Sequence, residues 1–447
     1  MPKFLDEDSF GFFPRMISRM FAARFIQSRE EDHIQNIRNS LNEKRIGIYI
    51  HFPFCRSFCL YCPYFREIWN EKAFKKYTEA LLEEVRLVGD LLEDENLEVV
   101  DIHVGGGSPS IPNPEFYSKL IEELESNFAI KVGLGIEACP EDLVNEDKVF
   151  KLAEAGISEI SIGGQSFHDS HLRALGRRHS PEDIRKALEN CEAVGFKLIN
   201  LDLMCAIPGV PAEKQLKNWR MDIEEAIELG PDEITVYPTL IAPHCIGYKL
   251  LKNGKVKQPV EIWESSLLLA RERLEDSGYK AVRIYSWSRR GEYATVNLEM
   301  IGPLISFGAG AFGFTGGYEW INVHSIEEYI RKLKENKLPV TVSRIVSKTE
   351  RGVRFLVDQL FTAGRFSTTM LEENLNISFK DLPKGLRFGL TMMRIMGWIR
   401  KEKNVLKLTD KGFIPAHKFC WTFVLKVPCK LVDILTKNVW PSEVNIP

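Results

Sequence analysis

The stretch Tyr49-Ile50-His51-Phe52-Pro53-Phe54-Cys55-Arg56-Ser57-Phe58-Cys59-Leu60-Tyr61-Cys62 is an apolar, strand-like run that stops at a proline and delivers three cysteines at C-x3-C-x2-C spacing. Pro53 keeps the turn out of a helix, so the thiols sit on a loop. Three thiolates this close suit soft-metal ligation by zinc, copper(I) or an iron–sulfur cluster. Zinc would want a fourth ligand, and the nearest imidazoles, His51 and His103, fit no zinc spacing. A [4Fe–4S] cluster held by three cysteines leaves one iron open to a substrate or cofactor. The alternative is three buried structural cysteines.

A chain of 447 residues that is 44% hydrophobic can bury a large core and carry an appended module. Its formal charge of −3 gives no basic bias, so nucleic acid is not an expected partner. Nine cysteines, an odd number, read as free or metal-bound thiols in a reducing cytoplasm. The apolar run Ser9–Ile26 is interrupted by Arg15, Arg19 and Arg24, so no signal peptide is expected. Phe419–Leu435 is cut by Lys426, Pro428 and Lys430 and is too broken to span a bilayer.

Residues 1–44 read as an N-terminal amphipathic helical extension, with Phe10, Phe12, Phe13, Met16, Ile17, Met20, Phe21, Phe25 and Ile26 largely on one face. It is expected to pack across a barrel mouth, to lie on a membrane surface or to cover a hydrophobic substrate. Short apolar runs then recur at Ile46–Ile50, Val99–Val104, Val132–Glu137, Glu159–Gly163, Leu198–Leu203 and Glu233–Tyr237. Helical patterns fill the gaps, as with Phe74, Tyr77, Leu81, Val85 and Val88. Strands alternating with helices imply a parallel sheet with helices outside, rolled by right-handed crossovers into a full or partial barrel.

Chemistry in such folds gathers at the carboxyl ends of the strands, and the polar oddities fall there. The cysteines follow the first run and Gly105-Gly106-Gly107-Ser108-Pro109-Ser110 follows the second. Glu137 ends the third, Gly163-Gly164-Gln165-Ser166 closes the fourth, and Asp202 lies on the fifth. Glycines there let backbone approach a ligand and present N–H and C=O groups. Together these residues form a polar ring around one mouth.

With these pieces on the page, the chain resembles the oxygen-independent coproporphyrinogen oxidase family of radical S-adenosylmethionine (SAM) proteins. The resemblance rests on the cysteine loop, the Gly-Gly-Gly-Ser-Pro-Ser turn, Ile136-Glu137, Ile160–Phe167, Leu175-Gly176-Arg177-Arg178-His179, Asp202-Leu203-Met204, Ile207-Pro208-Gly209, Gly308-Ala309-Gly310-Ala311 and Leu408–Gly412. It implies a partial (β/α)6 TIM-like barrel over 45–335 with a winged-helix-like helical cap over 336–415; beyond it, residues 416–447 read as an apolar tail. It implies that Cys55, Cys59 and Cys62 hold a [4Fe–4S] cluster that cleaves SAM reductively to a 5′-deoxyadenosyl radical. Gly106, Gly107 and Ser108 would meet the SAM amino group. Glu137, Gln165, Arg177 and Asp202 would position its methionine and ribose. Tyr61 and Tyr64 would lie near adenine, with Tyr49 among the cofactor-binding residues.

The departures bear on substrate. The decarboxylase's additional cysteine is Tyr64 here, and the haem-chaperone His-Asn-x-x-Tyr-Trp segment reads Val296–Ile301 without histidine or tryptophan. Cys205-Ala206-Ile207-Pro208 replaces Tyr-Gly-Leu-Pro. These resemble the class C methyltransferase and anaerobic haem-utilisation branch, in which two SAM molecules bind together. The expectation is a monomeric cytoplasmic enzyme that transfers a methyl or methylene group to a quinone, tetrapyrrole or lipid. Tyr237, His244 or Cys245 would serve as base, and a flavodoxin or ferredoxin as electron donor. The alternatives are coproporphyrinogen decarboxylation or haem ring opening, for which Arg66, Arg283, Arg289 and Arg290 would meet substrate carboxylates, and a haem-chaperone-like binding protein. The two lysine- and arginine-studded apolar termini would flank a hydrophobic substrate or touch a membrane surface.

Overall fold

In the computed structural model, residues 23–27, 30–41, 43–242, 245–291, 302–426 and 443–446 are described. The six expected strands form: β1 (Arg45–Phe52), β2 (Glu98–Gly106), β3 (Leu134–Ala138), β4 (Ile157–Gln165), β5 (Leu198–Cys205) and β6 (Glu233–Pro238). They lie side by side in chain order, every neighbouring pair parallel. A helix follows each one, beginning with Glu71–Leu92 and ending with Trp263–Asp276. In Glu71–Leu92, Tyr77, Leu81, Val85 and Val88 are buried as the periodicity requires, and Asn70 caps the start by accepting from the Ala73 N–H. The result is a curved parallel sheet with helices on its outer face: a partial barrel.

The sheet continues beyond the expected six strands. Leu304–Phe307 adds a seventh parallel strand against β1. Phe312–Phe314, Tyr318–Asn322 and Val340–Ile345 then extend it as antiparallel neighbours. Val340–Ile345, placed by the sequence in the cap, is thus part of the main sheet. Its other partner is Ala23–Gln27, which pairs in turn with Glu443–Ile446. Phe25 and Ile26, read above as helical, are therefore in a strand, with Phe25 buried under the Arg344 guanidinium. Both ends of the chain meet at this edge of the sheet, several strands from the carboxyl ends of β1–β6. The remaining apolar residues of the N-terminal extension, Phe10 to Phe21, lie outside the described residues.

Helices Lys348–Val357, Thr368–Leu375 and Lys384–Ile395 combine with a three-stranded sheet of Arg365–Ser367, Ile399–Glu402 and Val405–Leu408, the first strand lying between the first two helices, to form the winged-helix-like cap. The helix Asp410–Lys426 runs through the expected boundary at 415. His417 bonds the Ile284 carbonyl at 2.9 Å and Phe419 packs on Phe361, so this part of the tail is docked on the protein. No described helix is long and apolar enough to cross a membrane.

One buried carboxylate ties the first crossover helix to the seventh strand. Glu84 accepts from the Gly308 N–H at 2.7 Å, from Asn322 Nδ2 at 2.8 Å and from Tyr329 Oη at 2.5 Å. Gly308 has φ +101 and no room for a Cβ, which would lie 2.5 Å from Tyr77 Oη. Burial raises the Glu84 carboxyl from 4.5 to about 7, the three donors opposing the shift. Glu84→Ala strands these donors, and its expected cost in chemical denaturation is at least about 3 kcal/mol. Because the folded value is the higher one, the contribution is full at acidic pH and is lost as pH rises through about 7. Unfolding curves collected between pH 4.5 and 7 are expected to show a shallower decline for Glu84→Gln than for the wild type.

Candidate functional site

The cysteine loop is fastened to the barrel at several points before any ligand is considered. The Gly107 and Ser108 N–H groups donate to the Phe52 and Phe54 carbonyls at 2.7 and 2.8 Å. A Cβ on Gly107 would lie 2.4 Å from the Phe54 oxygen, so only glycine allows this approach. The Leu60 N–H donates to Leu175 O at 3.1 Å, the Gly247 N–H to Leu60 O at 2.9 Å and the Trp69 N–H to Cys55 O at 2.8 Å. Arg56 pairs with the buried Asp142 at 2.8 Å, and Asp142 also accepts from Ser110 Oγ at 2.9 Å. The glycine turn was expected to present N–H and C=O groups to a ligand; of these, the Gly107 and Ser108 N–H groups hold the loop and the Gly106 N–H donates to Glu137 Oε2 at 3.0 Å.

This loop roofs a cavity of about 370 Å³ at the carboxyl ends of the strands, a size suited to small molecules. Cys55, Cys59 and Cys62 line it, as do Tyr61, Tyr64, Gly106, Gly107, Ser108, Glu137, Gln165, Arg177, Asp202 and Tyr237. The expected polar ring is thus assembled around one space. Tyr49 is absent from the lining and holds His51 Nδ1 at 3.1 Å from its hydroxyl. Cys245 is also absent: it is buried among Ile241, Ala242 and Leu251, and its thiol donates to Tyr61 O at 3.1 Å. His244 lies outside the described residues, as does the Val296–Ile301 segment.

The electrostatics of the cavity follow from its burial. The Cys55 thiol is pushed up to about 12 by desolvation and then by the neighbouring Cys62, and desolvation likewise raises Cys62. Such thiols are poor free anions and need a positive partner to ionise. The Arg177 guanidinium places Nη1 3.5 Å from Cys59 Sγ while Nη2 donates to the Gly163 carbonyl at 2.7 Å. Asp202 is held by Asn200 Nδ2 at 2.9 Å, and burial lifts its carboxyl to about 7. Asn200 also donates to Ser161 Oγ and accepts from Thr235, a polar chain through the barrel interior that anchors the ring from below.

Gln165 carries the marks of a ligand contact. Its backbone is at φ +70, strained for a residue with a Cβ, and a register shift in β4 falls between Ile162 and Gln165. Its Oε1 is buried without a hydrogen-bond partner, a cost that a bound donor would remove. Sequence reading missed several lining residues, among them Cys139, Ser161 and Arg178. Cys139 was open to the rule that found Glu137, since it directly follows the end of β3, whereas Ser161 lies mid-strand in β4. Of the four arginines proposed for substrate carboxylates, only Arg66 lines the cavity. Arg283 lines a separate cleft, while Arg289 and Arg290 bond Gly230 O and Asp232, beside the amino end of β6.

The three thiols do not converge on a point: among the described residues no group of His, Cys, Asp and Glu is placed to hold a single metal ion. A cluster of several irons reaches its ligands at separated corners, and three thiols around one cavity fit that need. Residues 49–217 match the radical SAM superfamily, and that class, with its [4Fe–4S] cluster and SAM, is what the barrel and cavity define. The chain is similar to the heme chaperone HemW of Bacillus subtilis, at 28% identity over 84% of this chain and 98% of the relative. It is also similar to the oxygen-independent coproporphyrinogen III oxidase of Pseudomonas aeruginosa, at 22% identity over 89% of each. The solved coproporphyrinogen III oxidase of Escherichia coli shares its fold, with a TM-score of 0.74 at 21% identity over 89% of this chain and 94% of that one. The chain is thus similar, over most of its length, to coproporphyrinogen oxidase-like radical SAM proteins.

Gly107→Ala tests the fastening of the loop. The added methyl has no space between the Phe52 and Phe54 carbonyls, so the expected result is native far-UV circular dichroism with markedly reduced iron and sulfide after anaerobic reconstitution.

Proposed function

We propose that this chain is an enzyme that uses SAM and an iron–sulfur cluster to act on a carboxylate-bearing tetrapyrrole. The observation that carries the reading is that three thiols line one cavity with arginines beside them. Cys55, Cys59 and Cys62 would hold the cluster; bound there with SAM, it supplies the reductive cleavage that yields a 5′-deoxyadenosyl radical. Arg177 stabilises thiolate charge at Cys59 and offers a cation to the SAM carboxylate. Glu137 and Asp202 present carboxylate oxygens to amino and hydroxyl donors, and Gln165 presents its unpartnered carbonyl.

Substrate would sit at the rim, where Tyr64 is 57% exposed and Arg178 faces solvent. Arg66, with a buried Nε lacking a partner, and Arg178 are the cations there that fit propionate groups. Methyl transfer, the main expectation from the sequence, has no support among the relatives described above, whose names concern haem and coproporphyrinogen. The tetrapyrrole alternative is therefore the better reading. Haem carriage is favoured by the relative that the chain covers almost entirely. Titration with haem separates it, since a carrier binds haem without consuming SAM.

Anaerobic protein with dithionite and SAM is expected to form 5′-deoxyadenosine without S-adenosylhomocysteine, and Cys59→Ala to form neither. S-adenosylhomocysteine in stoichiometric yield would restore methyl transfer. With a tetrapyrrole carboxylate as substrate, Arg66→Ala and Arg178→Ala are each expected to raise KM about tenfold, the ~1.4 kcal/mol of one charge-assisted contact.

A further inference from the structure

A fourth thiol shares the cavity. Cys139 follows β3 two residues after Glu137, and its side chain lines the same space as Cys55, Cys59 and Cys62. Two different groups link it to that trio. The Ser108 hydroxyl lies 3.4 Å from Cys139 Sγ and also hydrogen-bonds the Cys55 thiol. The two terminal nitrogens of Arg177 face Cys59 Sγ at 3.5 Å and Cys139 Sγ at 3.7 Å. Cys139 is thus adjacent to two members of the trio across single bridging groups, and a guanidinium is in place to support its thiolate.

Its position is built. The Cys139 N–H donates to Ser110 Oγ at 2.9 Å, Ser110 is held by Asp142, and Pro140 opens the next helix. The backbone on both sides is therefore fixed and the sulfur is aimed. Packing thiols elsewhere in the chain differ: Cys191 and Cys205 are buried in the main core, whereas Cys139 keeps partial exposure in the cavity. Independently, the buried and unpartnered Oε1 of Gln165 in the same lining shows that this wall awaits a ligand.

We propose that Cys139 is a fourth ligand of the cluster in the SAM-free protein, capping the iron that the other three cysteines leave open and yielding it to SAM. The inference rests on the cluster assignment above. Capping passes one proton from the Cys139 thiol to water as its sulfur–iron bond forms. When SAM arrives, that bond breaks, the SAM ammonium gives one proton to the departing thiolate or to water, and the resulting amine and the carboxylate of SAM take the iron; a thiolate left unprotonated stays against Arg177. No electron moves in the exchange. The cap would shield the one iron corner that is otherwise open to loss or oxidation while substrate is scarce.

The test compares wild-type protein with Cys139→Ala and Cys139→Ser after anaerobic reconstitution, by iron and sulfide content, far-UV circular dichroism and electron paramagnetic resonance of the reduced cluster. All three are expected to carry a full cluster and native circular dichroism. Without SAM, both variants are expected to give a spectrum different from wild type; with saturating SAM, all three spectra are expected to coincide. Brief ferricyanide treatment is expected to convert the alanine variant to the three-iron form faster than wild type, with SAM removing the difference. Identical SAM-free spectra and identical rates of iron loss, in variants with full iron, would overturn the cap and leave the cluster assignment standing. A wild-type protein without iron and sulfide would overturn both.

Discussion

Two backbone hydrogen bonds, from Gly107 to Phe52 and from Ser108 to Phe54, carry the weight of this site. They join the turn after β2 to the start of the cysteine loop after β1, and they form only because Gly107 has no side chain to intervene. A loop bearing several thiols has little apolar surface to bury and would otherwise be mobile. Here its ends, its middle and its Arg56 side chain are each tied to a different element. The thiols are therefore presented in a fixed arrangement before a cofactor binds, which lowers the ordering cost of binding.

Burial and charge are balanced around that loop. Desolvation raises the Cys55 and Cys62 thiols and Asp202, which by itself favours their neutral forms. Arg177 supplies the opposing charge at the centre of the wall, touching Cys59, Cys139 and the Gly163 carbonyl at once. The polar chain of Ser161, Asn200 and Thr235 through the barrel interior adds rigidity beneath Asp202. A polar barrel interior is costly unless every member finds a partner, and here the partners lead to the site.

The two ends of the chain answer to a different constraint. An edge strand presents unpaired backbone groups, and the sheet resolves this on one side by adding Ala23–Gln27 and Glu443–Ile446 beyond Val340–Ile345. Phe25 is buried in this part of the sheet, so its apolar character belongs to the fold as well as to any partner of the chain. The helix Asp410–Lys426 similarly spends Phe413 and Phe419 on packing against the barrel and cap. A hydrophobic run records that something is covered without recording what covers it.

Legible in the sequence were the six-strand rhythm, the end of the barrel at which the chemistry lies, and the cysteines, glycine turn and strand-end polar residues among the cavity's lining. Period-two and period-3.6 patterns are local, and a glycine triplet, a proline-broken cysteine loop and carboxylates at strand ends each carry their meaning within a few residues. Only the tertiary structure decided that Cys139 joins the other thiols, that Cys245 and Tyr49 stand behind the wall, and that Arg66 and Arg178 rather than Arg289 and Arg290 reach the cavity. Those facts depend on which strands become neighbours and on how each chain segment leaves its strand. They are set by contacts between residues tens to hundreds of positions apart, which no local pattern encodes. The seventh parallel strand was hidden for the same reason: Leu304–Phe307 is a four-residue run whose only strong signal is its long-range pairing with β1.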